Sequence, residues 1–230
     1  MSYTRDEILE DCKAAMSDVP TFYKKDFVNY RGRTTDTKEL YTEVVAEFLC
    51  ENIEAYKSIP RLTREASYKV EGHDGAYSES SNRIEEITAM QMLKQCKDGL
   101  SLDHIGRIID YQTPLKNKSH NEAGKIDLIA VYGDTLYILE LKKEDSTETM
   151  LRCVLEGYTY LKTLDFEKLT KDFELKGIDH IKASPLVFRG SAQWIEMQED
   201  RPQLKKLISF LDAKPYYVLK NNGKFSITEV

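Results

Sequence analysis

The sequence predicts helices and strands in an α/β or α+β arrangement. Three observations predict this. Helical and strand patterns of apolar residues alternate along the chain, a hairpin with a tight turn lies near its middle, and no internal repeat interrupts its 230 residues. This length suits one domain with a sizeable core. We therefore expect a single domain over residues 1–230, with residues 1–75 as a mainly helical N-terminal extension.

The first third of the chain is expected to be helical. Residues 4–17 carry apolar side chains at helical spacing, and Thr4 is expected to cap this helix. A longer helix is expected over residues 36–57, with Pro60 just beyond its end. A loop follows over residues 68–80. The N-terminal helices could serve as a substrate clamp, a homodimer surface or a docking unit for a protein partner.

Helices and strands alternate along the rest of the chain. The third helix is expected to be capped by Ser81 or Asn82 and to end at Gly99. The helix after the central hairpin is expected to use Asp145 and Glu148 as a capping box. The other expected elements are a strand over residues 104–115, the post-hairpin helix over 147–163, a strand over 185–190, a helix over 201–212 and a C-terminal hairpin with an Asn-Asn-Gly turn.

Composition and charge favour a soluble, cytoplasmic protein. Apolar residues make up 41% of the chain and charged residues 31%, which is ordinary for a globular domain. No apolar run is long enough for a signal peptide or a membrane span. The net charge of −6 does not indicate a protein that coats nucleic acid, since such proteins are usually basic.

The cysteines and histidines do not show the spacing of a zinc site. No Cys-x-x-Cys pair is present, so we expect reduced cysteines that pack in the interior. The histidines are expected at the surface or in loops. These residues are Cys12, Cys50, Cys96, Cys153, His73, His104, His120 and His180.

The central hairpin, residues 124–143, carries charges that a buried strand pair rarely tolerates. A type II′ turn that begins at Gly133 sets the register, which puts Asp127 opposite Glu140 and on the same face as Lys142. Opposed carboxylates repel each other in a sheet, and a hard divalent cation would remove the conflict. Two alternatives stay open. Lys142 could simply neutralise the acids, or a longer turn could shift the register and separate them.

These residues resemble the PD-(D/E)xK nuclease superfamily. Its restriction-endonuclease-like fold implies the α/β class, with a mixed β-sheet flanked by helices. The similarity is carried by Asp127 and by the Glu-Leu-Lys that runs from Glu140 to Lys142, although Ile126 replaces the usual proline. It covers roughly residues 82–190, which would form the catalytic core.

The resemblance implies metal-dependent hydrolysis of phosphodiester bonds, with DNA as the expected substrate. Lys142 would orient and activate the attacking water. Glu86 would act from the helix before the hairpin, with Glu85 as the alternative. The implied ligands of Mg²⁺ or Mn²⁺ are Asp127, Glu140, the backbone carbonyl of Leu141 and Glu86.

Substrate contacts are expected from three groups of residues. Glu156 and Tyr160 match the Gln-x-x-x-Tyr motif of the exonuclease-like branch, with glutamate in place of glutamine; the alternative is an exposed pair between Arg152 and Glu156. The loop that leads into the hairpin carries Lys116, Lys118 and Lys125. The N-terminal segment carries Lys24, Lys25, Arg31 and Arg33 among Phe22, Tyr23 and Tyr30, which could grip the backbone and stack on bases. Alternatively, both basic segments are solvated loops.

Two other functions stay open. The chain could be a nuclease-fold module that no longer cuts and acts in nucleic-acid or protein binding. It could also be an unrelated α/β protein whose hairpin acids are structural.

Overall fold

The computed structural model describes residues 2–73, 83–115 and 124–230. Helices and strands alternate over most of this length. The helices are α1 (Arg5–Ala15), α2 (Tyr41–Glu51), α3 (Ile53–Lys57), α4 (Ile84–Lys97), α5 (Met150–Thr163), α6 (Phe166–Asp172), α7 (Ala192–Gln198) and α8 (Pro202–Leu211), with 3-10 helices at Met16–Lys24 and Asp26–Asn29. The strands are β1 (Arg107–Pro114), β2 (Lys125–Tyr132), β3 (Thr135–Leu141), β4 (His180–Phe188), β5 (Tyr216–Asn221) and β6 (Lys224–Thr228).

The strands form one mixed sheet in sequence order, β1 to β6. β4 lies at the centre and pairs in parallel with β3 on one side and β5 on the other. The pairs β1–β2, β2–β3 and β5–β6 are antiparallel. The parallel connections pass through helices, as parallel crossovers require. The predicted α/β class with a mixed sheet is confirmed.

Both faces of the sheet are covered, which explains why the central hairpin is apolar on both sides. Ile129 and Ile138 pack into a core with the N-terminal helices, α5 and α8. Leu128 and Leu139 point the other way, into a second core with α4 and β6. The alternation of these side chains follows the two-residue period of a strand.

The N-terminal helices agree with the prediction in part. Thr4 caps α1 and forms a capping box with Glu7. The single helix predicted over residues 36–57 is wrong, because α2 begins only at Tyr41 and the helix breaks at Asn52. The Asn52 side chain donates to the carbonyl of Phe48 at 2.8 Å, and such side-chain bonds to the backbone compete with continued helix.

The cap predicted for α5 is also wrong. The helix begins at Met150, and Thr149, not Asp145 or Glu148, accepts a hydrogen bond from the Arg152 N–H. The guanidinium of Arg31 explains the shift, because it binds the carbonyls of residues 147 and 148 and holds this segment outside the helix. The caps predicted at Ser81 and Asn82 lie outside the described residues.

Several smaller predictions can be compared with the structure. All four cysteines are free and buried, as predicted. The C-terminal hairpin turns at Asn222 and Gly223, which both have positive φ. His73, unlike His104 and His180, is largely buried, and His120 lies outside the described residues. No helix in the described parts of the chain has the length and apolar character to cross a bilayer.

Gly106 supports the sheet through a close contact. Its φ is +74°, and an added Cβ would lie 2.2 Å from the carbonyl oxygen of Val131 on β2. Gly99 also has positive φ, at +90°, but open space surrounds it.

We expect Gly99→Ala to lower the free energy of unfolding by about 1 kcal/mol through backbone strain alone. Gly106→Ala should cost about 2 kcal/mol more, because it also forces β1 and β2 apart. Urea unfolding measures both, and equal losses would show that the contact is unimportant.

Candidate functional site

The candidate site lies where β2 begins and β3 ends. The hairpin register is the predicted one, from Tyr132 opposite Thr135 to Leu128 opposite Leu139. Gly133 has a φ of +61°, which fits the expected turn. The alternative of a shifted register is therefore excluded.

Asp127 follows at the open end of the hairpin, where its side chain takes two hydrogen bonds. The carboxylate oxygen Oδ2 accepts from the backbone N–H of Leu141 at 3.0 Å. The other oxygen, Oδ1, accepts from the amide Nε2 of Gln112 at 2.7 Å. Asp127 is thus fixed from both neighbouring strands.

Gln112 was not predicted as a site residue. Its neighbours Tyr111 and Thr113 pair with Leu128 and Ile126, on either side of Asp127, and its φ of +48° is unusual for a residue within a strand. A register shift between Ile108 and Asp110 precedes it in β1. The sequence offers no local signal for this contact, because it depends on an irregularity of the strand.

Lys142 is buried in a ring of carboxylates. Its ammonium Nζ lies 2.7 Å from Oε1 of Glu140, 2.8 Å from Oε2 of Glu148 and 3.2 Å from Oε2 of Glu156. Only 8% of its side chain is exposed. Burial alone would lower the pKa of Lys142, but the carboxylates, Glu140 above all, hold it above its ordinary value. The predicted pairing of Glu140 and Lys142 on one face is confirmed.

Glu156 and Tyr160 both reach the ring from α5. The hydroxyl of Tyr160 donates to Oε1 of Glu156 at 2.8 Å and lies 3.4 Å from the hydroxyl of Tyr23. Burial would raise the pKa of Glu156, but Lys142 and the Tyr160 hydroxyl lower it below its usual value. The alternative of an exposed Arg152–Glu156 pair is wrong, because Arg152 pairs with Glu148 at 3.2 Å.

The ring holds more negative charge than Lys142 can balance. Burial raises the pKa of Asp127 to about 7, Lys142 opposes this rise, and the nearby Glu156 and Glu85 add to it. Burial and the charges of Asp127 and Glu156 hold the pKa of Glu140 well above its ordinary value. Ionised, Glu140 has a buried oxygen, Oε2, without a hydrogen-bond partner. Protonated, it can donate to Glu156, which helps lower the pKa of that residue.

The structure brings Glu85, rather than Glu86, toward the site. Oε1 of Glu85 accepts a hydrogen bond from the backbone N–H of Lys143 at 3.0 Å. Glu86 instead pairs with Arg83 at 3.2 Å near the surface. Of the two glutamates that the sequence left open, Glu85 is therefore the one that lies beside Asp127.

Most residues of the N-terminal segment that were expected to contact nucleic acid instead make contacts within the protein. Phe22 and Tyr23 are buried, so they cannot stack on bases as predicted. Tyr30 stacks on Tyr3 instead. Arg31 holds the segment before α5, and Arg33 binds the carbonyl of residue 38. The side chains that remain exposed are those of Lys24, Lys25 and Lys125. Lys116 and Lys118 lie outside the described residues.

The donor set at the hairpin end can be compared with the needs of Mg²⁺. Within residues 2–73, 83–115 and 124–230, no three His, Cys, Asp or Glu side chains are grouped to hold a metal ion; the Lys142 ammonium lies among the glutamates. Both carboxylate oxygens of Asp127 accept hydrogen bonds, from Leu141 and Gln112, and Oε2 of Glu140 is buried without a partner when Glu140 is ionised. Mg²⁺ prefers oxygen ligands and commonly binds through one or two carboxylates together with several waters, which is the donor chemistry that Asp127 and Glu140 offer.

Comparison with protein-family models, curated proteins and solved structures finds no match to this chain. The geometry and charge of the ring are therefore the observations from which its function can be inferred.

Removing the Lys142 ammonium tests how strongly the ring depends on it. We expect Lys142→Met to lower the free energy of unfolding by about 3–5 kcal/mol at neutral pH, because it leaves buried carboxylates unpaired. The loss should shrink as pH falls, since protonated carboxyls need no counter-charge. Lys176→Met, at an exposed lysine, should change stability by less than about 0.5 kcal/mol. Similar urea midpoints for the two variants would contradict the structure.

The raised pKa of Asp127 predicts a pH-dependent cost. Because this pKa rises from 3.8 in the unfolded chain to about 7 in the fold, the folded state loses stability as pH rises across that window. Asp127→Asn should therefore stabilise the metal-free protein at pH 8 by on the order of 2–4 kcal/mol and give no such gain at pH 4. Urea unfolding at both pH values measures this. Asp11→Asn, at an exposed acid, is the control; a pH-independent effect of Asp127→Asn would refute the assignment.

Proposed function

We propose that this protein is a metal-dependent nuclease with a restriction-endonuclease-like core that hydrolyses phosphodiester bonds of nucleic acid, with DNA as the expected substrate. The observation that carries the proposal is the convergence of Asp127, Glu140 and Lys142 at the hairpin end. Free cysteines fit a reducing compartment, so we place the activity in the cytoplasm.

The charge count favours a cation site over a purely structural ion pair. Glu85 lies beside Asp127, and the ring adds Glu140, Glu148 and Glu156, so five carboxylates face two cations, Lys142 and Arg152. A buried structural pair is stable only when its charges balance. Burial first, and the neighbouring carboxylates second, raise the pKa values of Asp127 and Glu140, and a bound cation would offset the repulsion between these acids.

Each residue of the site has a defined role in this proposal. Asp127, Glu140 and the Leu141 carbonyl would hold Mg²⁺ or Mn²⁺, and Glu85 would contribute through water. The bound ion would lower the pKa of a coordinated water and neutralise charge on the phosphate. Lys142 would keep the ring together and, where its ammonium reaches the substrate, stabilise the negative charge that develops on the phosphate.

A second function is favoured by one observation. Lys142 already contacts three carboxylates, so its ammonium is engaged before any substrate binds. A nuclease-fold module that binds nucleic acid or a protein but no longer cuts would tolerate this arrangement. Cleavage and metal binding discriminate between the two functions.

The cleavage test uses variants that should preserve the fold. Asp127→Asn and Glu140→Gln keep the side-chain shapes and remove repulsion, so both proteins should be at least as stable as the wild type without metal. Each should lower the rate of cleavage of single- or double-stranded DNA with Mg²⁺ or Mn²⁺ by at least about 100-fold, because the charge that binds the ion is lost. A variant that gains stability but loses cleavage activity would show that the replaced acid acts in function and does not stabilise the fold.

The chain supplies its own matched control. Residues 174–176 repeat the tripeptide Glu-Leu-Lys, and both charged residues of this copy are exposed, so Glu174→Gln and Lys176→Ala should cut at the wild-type rate. Mn²⁺ should raise the melting temperature of the wild type and not that of Asp127→Asn. Absence of cutting by the wild type would end the nuclease proposal, and a Mn²⁺ shift without cutting would support the binding module.

A further inference from the structure

A cleft of about 660 Å³ lies beside the edge strand β1. It is lined by the end of α4, the start of β1, residues 69–73 and the segment after α6. Its volume falls within the roughly 300–1,000 Å³ that is usual for small-ligand sites. The proposed catalytic residues do not line it.

The charged residues of the cleft are mainly cations. Lys69, Lys97 and Arg107 face a single carboxylate, that of Asp110, although the whole chain carries a net charge of −6. Lys97 is engaged, since its Nζ donates to the carbonyl of His73 at 3.0 Å. Lys69 and Arg107 are exposed, and the ion pairs found among the described residues include neither of them.

His73 is held rigidly at the wall of this cleft. Its Nδ1 lies 2.8 Å from Oδ1 of Asp110, and Oδ2 of that carboxylate accepts from the Thr113 hydroxyl at 2.6 Å. The imidazole also stacks on the ring of Tyr111, with centroids 4.3 Å apart. A buried acid that fixes a histidine in this way leaves the other ring nitrogen, Nε2, for a ligand.

Apolar side chains also line the cleft. Leu93 is buried, Phe173 and Leu175 are half-buried, and Val70 and Leu100 are exposed at 36% and 44%. Exposed apolar side chains at the mouth of a concave site commonly mark a binding surface. These side chains, called here the apolar wall, and the cations of the cleft can therefore contact the same ligand.

We infer that this cleft binds one nucleoside phosphate unit of a nucleic-acid strand, with the phosphate at Lys69 and Arg107 and the base against the apolar wall. The inference rests on the proposed nuclease function. Strand β1 connects the cleft with the hairpin end, where Asp127 lies. Asp110 lies two residues, or about 7 Å of strand, from Gln112, whose side chain binds Asp127. A strand seated in the cleft would be held close to the hairpin end.

The test measures binding without cleavage. Fluorescence anisotropy of a labelled single-stranded oligonucleotide is followed in EDTA over a series of salt concentrations. The double variant Lys69→Ala/Arg107→Ala should weaken binding about tenfold and reduce the slope of log Kd against log salt by about 0.7 for each lost phosphate contact. Ser101→Glu, at an exposed residue that lines the cleft, should also weaken binding without removing a contact. The matched control, Arg61→Ala/Lys94→Ala, removes two exposed cations outside the cleft and should leave both values unchanged.

The outcomes separate the strand from a free nucleotide. Thymidine monophosphate, titrated alone by calorimetry, tests the small ligand. Loss of oligonucleotide affinity in the double variant supports the inference, and it does so even if the wild type cuts nothing, in which case only the nuclease proposal fails. Cleft-dependent binding of the mononucleotide with unchanged oligonucleotide binding would overturn the strand assignment. Equal effects of the cleft and control variants would overturn the inference as a whole.

Discussion

The buried ammonium of Lys142 is the interaction on which the rest of the structure depends. It lies at the end of β3 and contacts glutamates from β3, from the segment before α5 and from α5 itself. A lysine this deep in a protein requires carboxylate partners, since an unpaired charge there would be prohibitive. The sheet, the connection and the helix are therefore fixed relative to one another by one group.

This constraint leaves a surplus of acid that the protein must tolerate. Asp127 and Glu140 are held near each other by hydrogen bonds to Gln112, Leu141 and Lys142 even though their charges repel. Proteins retain such arrangements mainly at functional sites, where stability is lost in exchange for a preorganised charge distribution. In the proposed nuclease, the same repulsion that weakens the metal-free fold would favour the arrival of a divalent ion.

The sequence predicts the parts of this site that depend on local geometry. A two-residue turn fixes the register of β2 and β3, and strand periodicity then aligns Glu140 with Lys142. Contacts that depend on irregular or distant structure are not predictable in this way. Gln112 reaches Asp127 through an unusual backbone conformation within β1, the helix break at Asn52 outweighs a continuous apolar pattern, and Phe22 and Tyr23 are buried by elements that are remote in sequence. The parallel pairing of β3 with β4 likewise has no short-range signal.

The hydroxyl contact between Tyr23 and Tyr160 has a consequence for how this chain could be altered or recombined. Tyr160 in turn donates a hydrogen bond to Glu156, so the Tyr23 hydroxyl, from the first 30 residues, is linked to the carboxylates around Lys142 through Tyr160. The amino-terminal part shares its interior with the sheet rather than lying beside it as a separable module. An exchange of this part for a different recognition element would have to provide an aromatic hydroxyl at the same place. Diversification of the protein is therefore expected to proceed through its outer loops, with the amino-terminal helices kept as part of the scaffold.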